Sequence, residues 1–266
     1  MALRRTFWLD LLSTLVCFLL LGSIFTKPAV AEEPPAIAAA ADLQFALEEI
    51  ARLFAEQTGQ HVQLTFGSSG NFARQIEQGA PFQIYLSADE AYVSRLADKG
   101  LTRDRGEVYA IGRVVIFAPH DSSLNVDGNL SGLHEALAEG RIQRFAIANP
   151  EHAPYGRAAR EALKSRGLWE AVRPFLVLGE NVAQAAQFAT TGNSQGGIIA
   201  YSLALSPVMR RLGRWALLPE TDHEPLRQRM VLLVNAGGTA TRFFAFMQQP
   251  AARSIMGRYG FVLPGD

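Results

Sequence analysis

The chain has 266 residues, 25 basic against 25 acidic side chains, 48% hydrophobic residues and one cysteine. That even charge gives no basic surface for nucleic acid or an anionic membrane face, and a lone Cys17 excludes an internal disulfide framework. The length suits one large or two small domains held by an ordinary apolar core.

The N-terminus reads as an export signal. Arg4 and Arg5 form a basic start, Leu11 to Phe25 is an apolar run of fifteen residues, and Ala29-Val30-Ala31 offers a small-residue cleavage site. The run is shorter than the roughly 20 residues a spanning helix needs. Val16 is also too large for the lipid-attachment motif that Cys17 would otherwise suggest. A signal peptide over 1–31 and a periplasmic location are therefore expected. The mature chain, 32–266, has 235 residues, no cysteine, and 22 basic and 24 acidic residues once Arg4, Arg5, Lys27 and Asp10 are removed, a net charge of −2.

The mature sequence alternates strand-like and helix-like stretches, the rhythm of an α/β protein. Ile37–Ala41 is a short apolar run. Leu43, Ala46, Leu47, Ile50, Leu53 and Phe54 then share one helical face, which Gly59 ends. His61–Phe66 alternates as a half-buried strand. Gly67-Ser68-Ser69-Gly70 breaks it, and Phe72–Gln78 reads as a helix. Ile84 and Leu86 mark a strand and Glu90–Asp98 a helix. Val114–Phe117 is strongly β-like, as is Val231–Val234. Between them come strand 145–148, helix 156–165, strand 175–178, helix 182–189 and strand 198–200. Ala240–Gln248 and Ala251–Met256 close the chain as helices. One α/β unit inserted into another predicts two lobes with a cleft: lobe 1 from 32–116 and 231–266, lobe 2 from 117–230.

Four strand-to-helix junctions share one form, a short apolar run, a small or polar loop, then a helix start. They are Ala41-Asp42, Gly67 to Gly70, Pro154-Tyr155-Gly156 and Glu180-Asn181-Val182. Helix starts leave N–H groups unpaired and carry partial positive charge, so several facing one cleft would bind an anion without lysine or arginine. Singly, each has a plainer reading. Asp42 and Asn181 are ordinary N-caps, with Gln184 completing a capping box after Asn181, and Gly-Ser-Ser-Gly is a common turn.

Six ordered blocks carry a resemblance. They are Ala39 to Leu43, Phe66 to Gly70, Ala73 to Pro81, Leu86 to Asp89, Asn149 to Gly156 and Arg258 to Phe261. Over nearly its whole mature length the chain resembles the periplasmic molybdate-binding proteins of molybdate ABC transporters. The resemblance implies a two-lobe type II periplasmic-binding fold, no enzymatic activity, no cofactor, a molybdate or tungstate ligand, a membrane permease as partner and a monomer. It also implies oxyanion contacts at Asp42, Ser69, Tyr155 and Val182, the first two from one lobe and the last two from the other.

This chain departs from the family pattern at three places. Asp42 stands where a small hydroxyl or amide residue is usual. Since a carboxylate repels a dianion, its side chain is expected to cap its own helix while its N–H faces the ligand. Ala200 stands where many members have tyrosine, with Tyr201 next, and the Tyr155 hydroxyl is expected to replace that donor. Gln83 stands where the family often has Asp and is read as structural.

Other readings carry less. Gly192-Asn193-Ser194-Gln195-Gly196 matches a hydrolase G-x-S-x-G pattern, but a helix precedes it and a strand follows, the reverse of a nucleophile elbow. The five histidines lack metal-ligand spacing, so no metal site is expected, and His152 beside Glu151 is read as a loop-shaping pair. Arg253 and Arg258 read as a solvated face. Within the binding class the rival ligands are sulfate and phosphate. A carboxylate at Asp42 could accept the proton of hydrogen phosphate.

Overall fold

The computed structural model describes residues 33–191 and 194–265; the expected signal segment, Gly192 and Asn193 lie outside them. In the first part of the chain, β1 (Ala36–Ala40) runs into a single 3-10 turn, Ala41–Leu43, and then α1 (Gln44–Thr58). Next come β2 (Gln63–Gly67), α2 (Ser69–Glu77), β3 (Ile84–Ser87), α3 (Glu90–Asp98) and β4 (Glu107–Gly112). Gly59 ends α1 in the left-handed conformation with its N–H on Ala55 O, the C-terminal stop that the sequence predicts.

The second part starts with β5 (Val114–Pro119), α4 (Ser131–Ala138), β6 (Phe145–Ala148) and α5 (Pro154–Ser165). It continues through β7 (Leu176–Gly179), α6 (Val182–Thr190), β8 (Gly196–Ala200) and β9 (Gly213–Leu217). The chain then returns through β10 (Leu226–Leu232) to α7 (Gly238–Phe246) and α8 (Pro250–Arg258).

Two five-stranded mixed sheets result, in the orders β2-β1-β3-β10-β4 and β7-β6-β8-β5-β9. Each has a parallel core, β1 between β2 and β3 in one and β6 between β7 and β8 in the other, and antiparallel strands beyond it. Period-two alternation explains how the first sheet is covered on both faces. Ile37 and Ala39 of β1 pack with Leu47, Ile50 and Phe54 of α1 and Phe243 of α7, whereas Ala38 joins Phe72, Ile76, Val93 and Leu96 of α2 and α3. Phe54 meets the rings of Phe243 and Phe246 edge-on at 5.1 and 5.4 Å. The second sheet is more deeply enclosed, with Val114 to Ala118 and Phe145 to Ala148 all buried. Buried on both faces, such strands read as continuous apolar runs.

The expected boundaries at 116/117 and 230/231 fall inside β5 (Val114–Pro119) and β10 (Leu226–Leu232). β5 pairs with β8 and β9 from Val114 onward, and β10 pairs with β3 and β4 from Leu226. The chain crosses between sheets at Arg113 and again within 218–225. Val114-Val115-Ile116-Phe117 is uniformly apolar, so no pattern break marks where β5 changes sheet.

Candidate ligand-binding site

The carboxyl ends of the parallel strands meet between the two sheets, where open α/β sheets usually place their ligands. β1 delivers Asp42, β2 delivers Ser68 and Ser69, β3 delivers Ala88, β6 leads to Tyr155 and β7 to Asn181 and Val182. All of them line one small cavity. The four expected site residues are thus together, two from each lobe. No lysine, arginine or histidine side chain is among the lining residues.

The donors are mostly backbone. Ser69 and Val182 are the first residues of α2 and α6, Tyr155 is the second of α5, and Asp42 is the second of its 3-10 turn. At those positions an N–H has no acceptor within its own helix; those of Ser69, Tyr155 and Val182 find no other backbone acceptor among the described residues, whereas the Asp42 N–H lies on its own carboxylate. Ser69 Oγ accepts the Ala88 N–H at 3.0 Å, which leaves its own proton available. The Asn181 side chain caps α6 by accepting from Gln184 N at 3.0 Å, while Gln184 Oε1 accepts from Glu180 N at 2.7 Å, so the expected cap is present.

Asp42 behaves differently from the expectation. It makes no capping bond; instead its Oδ2 accepts from Gln228 Nε2 at 2.6 Å and from Tyr155 Oη at 3.0 Å. The 3-10 turn carries the side chain away from its own helix start and toward lobe 2. Its Oδ1 is buried and has no partner among the described residues. Burial pushes the Asp42 carboxyl up from 3.8 to about 6, against the bonds from Gln228, Tyr155 and its own backbone N–H, which pull it down. Burial likewise raises the Tyr155 and Tyr109 phenols well above 10.

The Tyr155 hydroxyl is therefore committed to Asp42, and only its backbone N–H is left for the cavity. Tyr201 is not a lining residue; its ring packs on Gly260. Gln83 is structural, accepting from Gly237 N at 2.8 Å. Ser194 sits between α6 and β8 with its hydroxyl on the Arg144 and Gly196 carbonyls, without a histidine partner among the described residues.

Sequence reasoning missed the contacts that hold the lobes together over the cavity. His152 does not pair with Glu151, which binds Arg160 instead. It bridges to lobe 1: Gly70 N and Ser68 Oγ donate to its carbonyl at 3.0 and 2.5 Å, and Ser68 Oγ lies 3.0 Å from its Nδ1. Arg157 of α5 pairs with Asp89 of lobe 1 at 2.5 Å. Ser202 Oγ donates to Asp42 O at 2.8 Å. Two glycines make room for this closure. A Cβ on Gly70 would stand 2.6 Å from His152 O, and one on Gly112 would stand 2.3 Å from Tyr155 Oη. Gln228 did leave a signal: it is a polar residue at an inward position of β10, in step with Leu226 and Met230.

Two α/β lobes clamped over a cavity of helix N-termini define a solute-binding protein of the two-lobe class. The chain belongs to the bacterial extracellular solute-binding protein family, whose profile matches residues 36–262. It is 34% identical over 238 residues to the molybdate-binding protein ModA of Rhodobacter capsulatus, spanning 88% of this chain and 90% of that protein. The ModA of Azotobacter vinelandii is 32% identical over 230 residues, 85% and 89% of the two chains. In three dimensions the chain is similar to the Azotobacter vinelandii periplasmic molybdate-binding protein, with a TM-score of 0.78, 29% identity and coverage of 86% and 99%. The sulfate-binding protein SubI of Mycobacterium tuberculosis, at 15% identity and a TM-score of 0.71, shares the fold. The resemblance and the two-lobe architecture read from the sequence hold.

Proposed function

We propose that this protein captures molybdate or tungstate in the periplasm and delivers it to the membrane permease of an ABC importer. One observation carries the reading: three unpaired helix-start N–H groups, that of Ser69 from one lobe and those of Tyr155 and Val182 from the other, line a single cavity with no basic side chain among its lining residues. A fully ionised tetrahedral oxyanion offers acceptors only, so a suitable site offers donors. Here the N–H groups of Ser69, Tyr155 and Val182 and the Ser69 hydroxyl supply them. Hydrogen bonds to a charged group are worth about 1.5–3 kcal/mol each. Several of them, less the costs of desolvation and closure, reach micromolar affinity, about −8 kcal/mol, or better. The likeness to molybdate-binding relatives supports the ligand and the importer role.

Titration calorimetry with molybdate, tungstate, sulfate and phosphate tests the reading. Molybdate and tungstate should bind at micromolar concentration or below and displace sulfate. Preference for sulfate or phosphate would reassign the ligand, and no binding of any of them would remove the function.

A further inference from the structure

The mechanism of anion capture by donors alone leaves one cavity group unexplained. Asp42 is 1% exposed and lines the cavity, yet one of its two oxygens has no partner. The other oxygen is fully occupied. Tyr109 Oη donates to Gln228 Oε1 at 2.6 Å, which fixes that amide so that its Nε2 faces Asp42 Oδ2; Tyr155 Oη supplies the second donor. Both donors reach Oδ2, and any proton the carboxyl takes must therefore sit on Oδ1. A charged carboxylate in this place would put three negative charges into one small cavity when a dianion enters.

Building on the proposed function, we infer that Asp42 enters the liganded site as a neutral acid, its Oδ1–H donating to the bound oxyanion, so that each dianion is captured together with one proton. The proton comes from solvent and adds to the carboxylate; no other bond changes, and the charge gained by the cavity is minus one instead of minus two. An orphaned acceptor thereby becomes one more donor in a wall of donors.

The surroundings single out Asp42 for this role. Its turn packs against β2, α1, α6 and the helical turn 201–204. β2 and α6 contain no titratable residue. Tyr201 packs on Gly260. Of the ionisable residues of α1, Glu48, Arg52 and Glu56 are exposed, and Glu49 pairs with Arg258. From α5 and β4 the phenols of Tyr155 and Tyr109 face it, and both stay neutral. His152 lies at the rim, bonded to Ser68. The free carboxyl already holds its proton to about pH 6, so uptake on binding is expected above that pH and not below it.

The test is titration calorimetry of the protein with sodium molybdate, in HEPES and in Tris, whose ionisation enthalpies differ. At pH 8 about one proton should be taken up per molybdate bound, falling toward none at pH 5. Between pH 7 and 9 the Kd should rise about tenfold per pH unit. Asp42→Asn, whose amide places N–H at the Oδ1 position, should take up no proton, lose the pH dependence and bind more tightly than the unsubstituted protein at pH 8. An infrared band of a protonated carboxyl should appear on binding and be missing in the variant. Molybdate binding without proton uptake overturns the inference and leaves the proposed function intact. So does uptake that survives in Asp42→Asn, which would move the proton to His152. Tight binding of hydrogen phosphate with no uptake means the ligand brings the proton, and overturns it too. No molybdate binding at any pH removes both readings.

Discussion

The two walls of the cleft reach the same chemistry by different means. The lobe-1 wall carries side chains, with the Ser69 hydroxyl and the Asp42 carboxyl beside their N–H groups; the lobe-2 wall offers Tyr155 and Val182 as backbone only, since the Tyr155 hydroxyl is turned onto Asp42. A backbone wall is indifferent to most substitutions, whereas a side-chain wall can be retuned one residue at a time. On the proposed site, specificity would therefore be concentrated on one side of the cleft, with grip shared by both.

The largest effect should come from preventing the walls from meeting. Gly70→Ala places a Cβ against His152 O, so molybdate affinity should fall by more than about 100-fold in calorimetry. A normal affinity would mean that closure over the cavity does not need this approach.

The walls can then be broken separately. Ser69→Ala should weaken molybdate binding by about 1–3 kcal/mol, because it leaves part of a charged ligand unpaired. On the opposite wall Val182→Ala should change nothing, while Val182→Pro should cost at least about 1–3 kcal/mol, because it removes the N–H and sets the ring Cδ where that donor pointed. Proline is tolerated at the first helical position, and Asn181, at φ −148° and ψ 175°, already has the extended backbone that a following proline requires. If Val182→Ala weakened binding as much as Val182→Pro, the side chain and not the backbone would be the contact.

A last effect is on stability and sharpens the role of Asp42. Its folded pKa is raised, so the proton it holds stabilises the fold below about pH 4, and that contribution is lost as pH rises to about 6. Above that range Asp42→Asn should therefore stabilise the unliganded protein relative to its effect at pH 4, by about 3 kcal/mol for a shift of this size. Denaturant melts at pH 4 and pH 8 measure it. An equal effect at both pH values would show that the carboxyl is not held up by burial.

Much of this was legible before any coordinates. Alternating apolar runs and the Gly59 stop located the elements of lobe 1, and the four junctions located the cavity, because helix caps and tight loops are written in local sequence. What escaped was set by contacts between distant segments. Asp42 could have capped its helix as well as reached Gln228, 186 positions away; only the meeting of the lobes chooses. His152 next to Glu151 looked like a local pair for the same reason. The exchange of sheets at Arg113 was hidden because β5 is enclosed on both faces and its apolar run has no polar side to mark a partner.

The division of donors between the lobes also bears on unloading. On the proposed site, parting the halves would divide the donors, leaving the Ser69 N–H and hydroxyl on one and the Tyr155 and Val182 N–H groups on the other, with no lysine or arginine among the lining residues to hold the ion by long-range attraction. On the proposed function, a transporter that pried the protein open would need no competing solute to empty it, since separating the halves would itself release the ion.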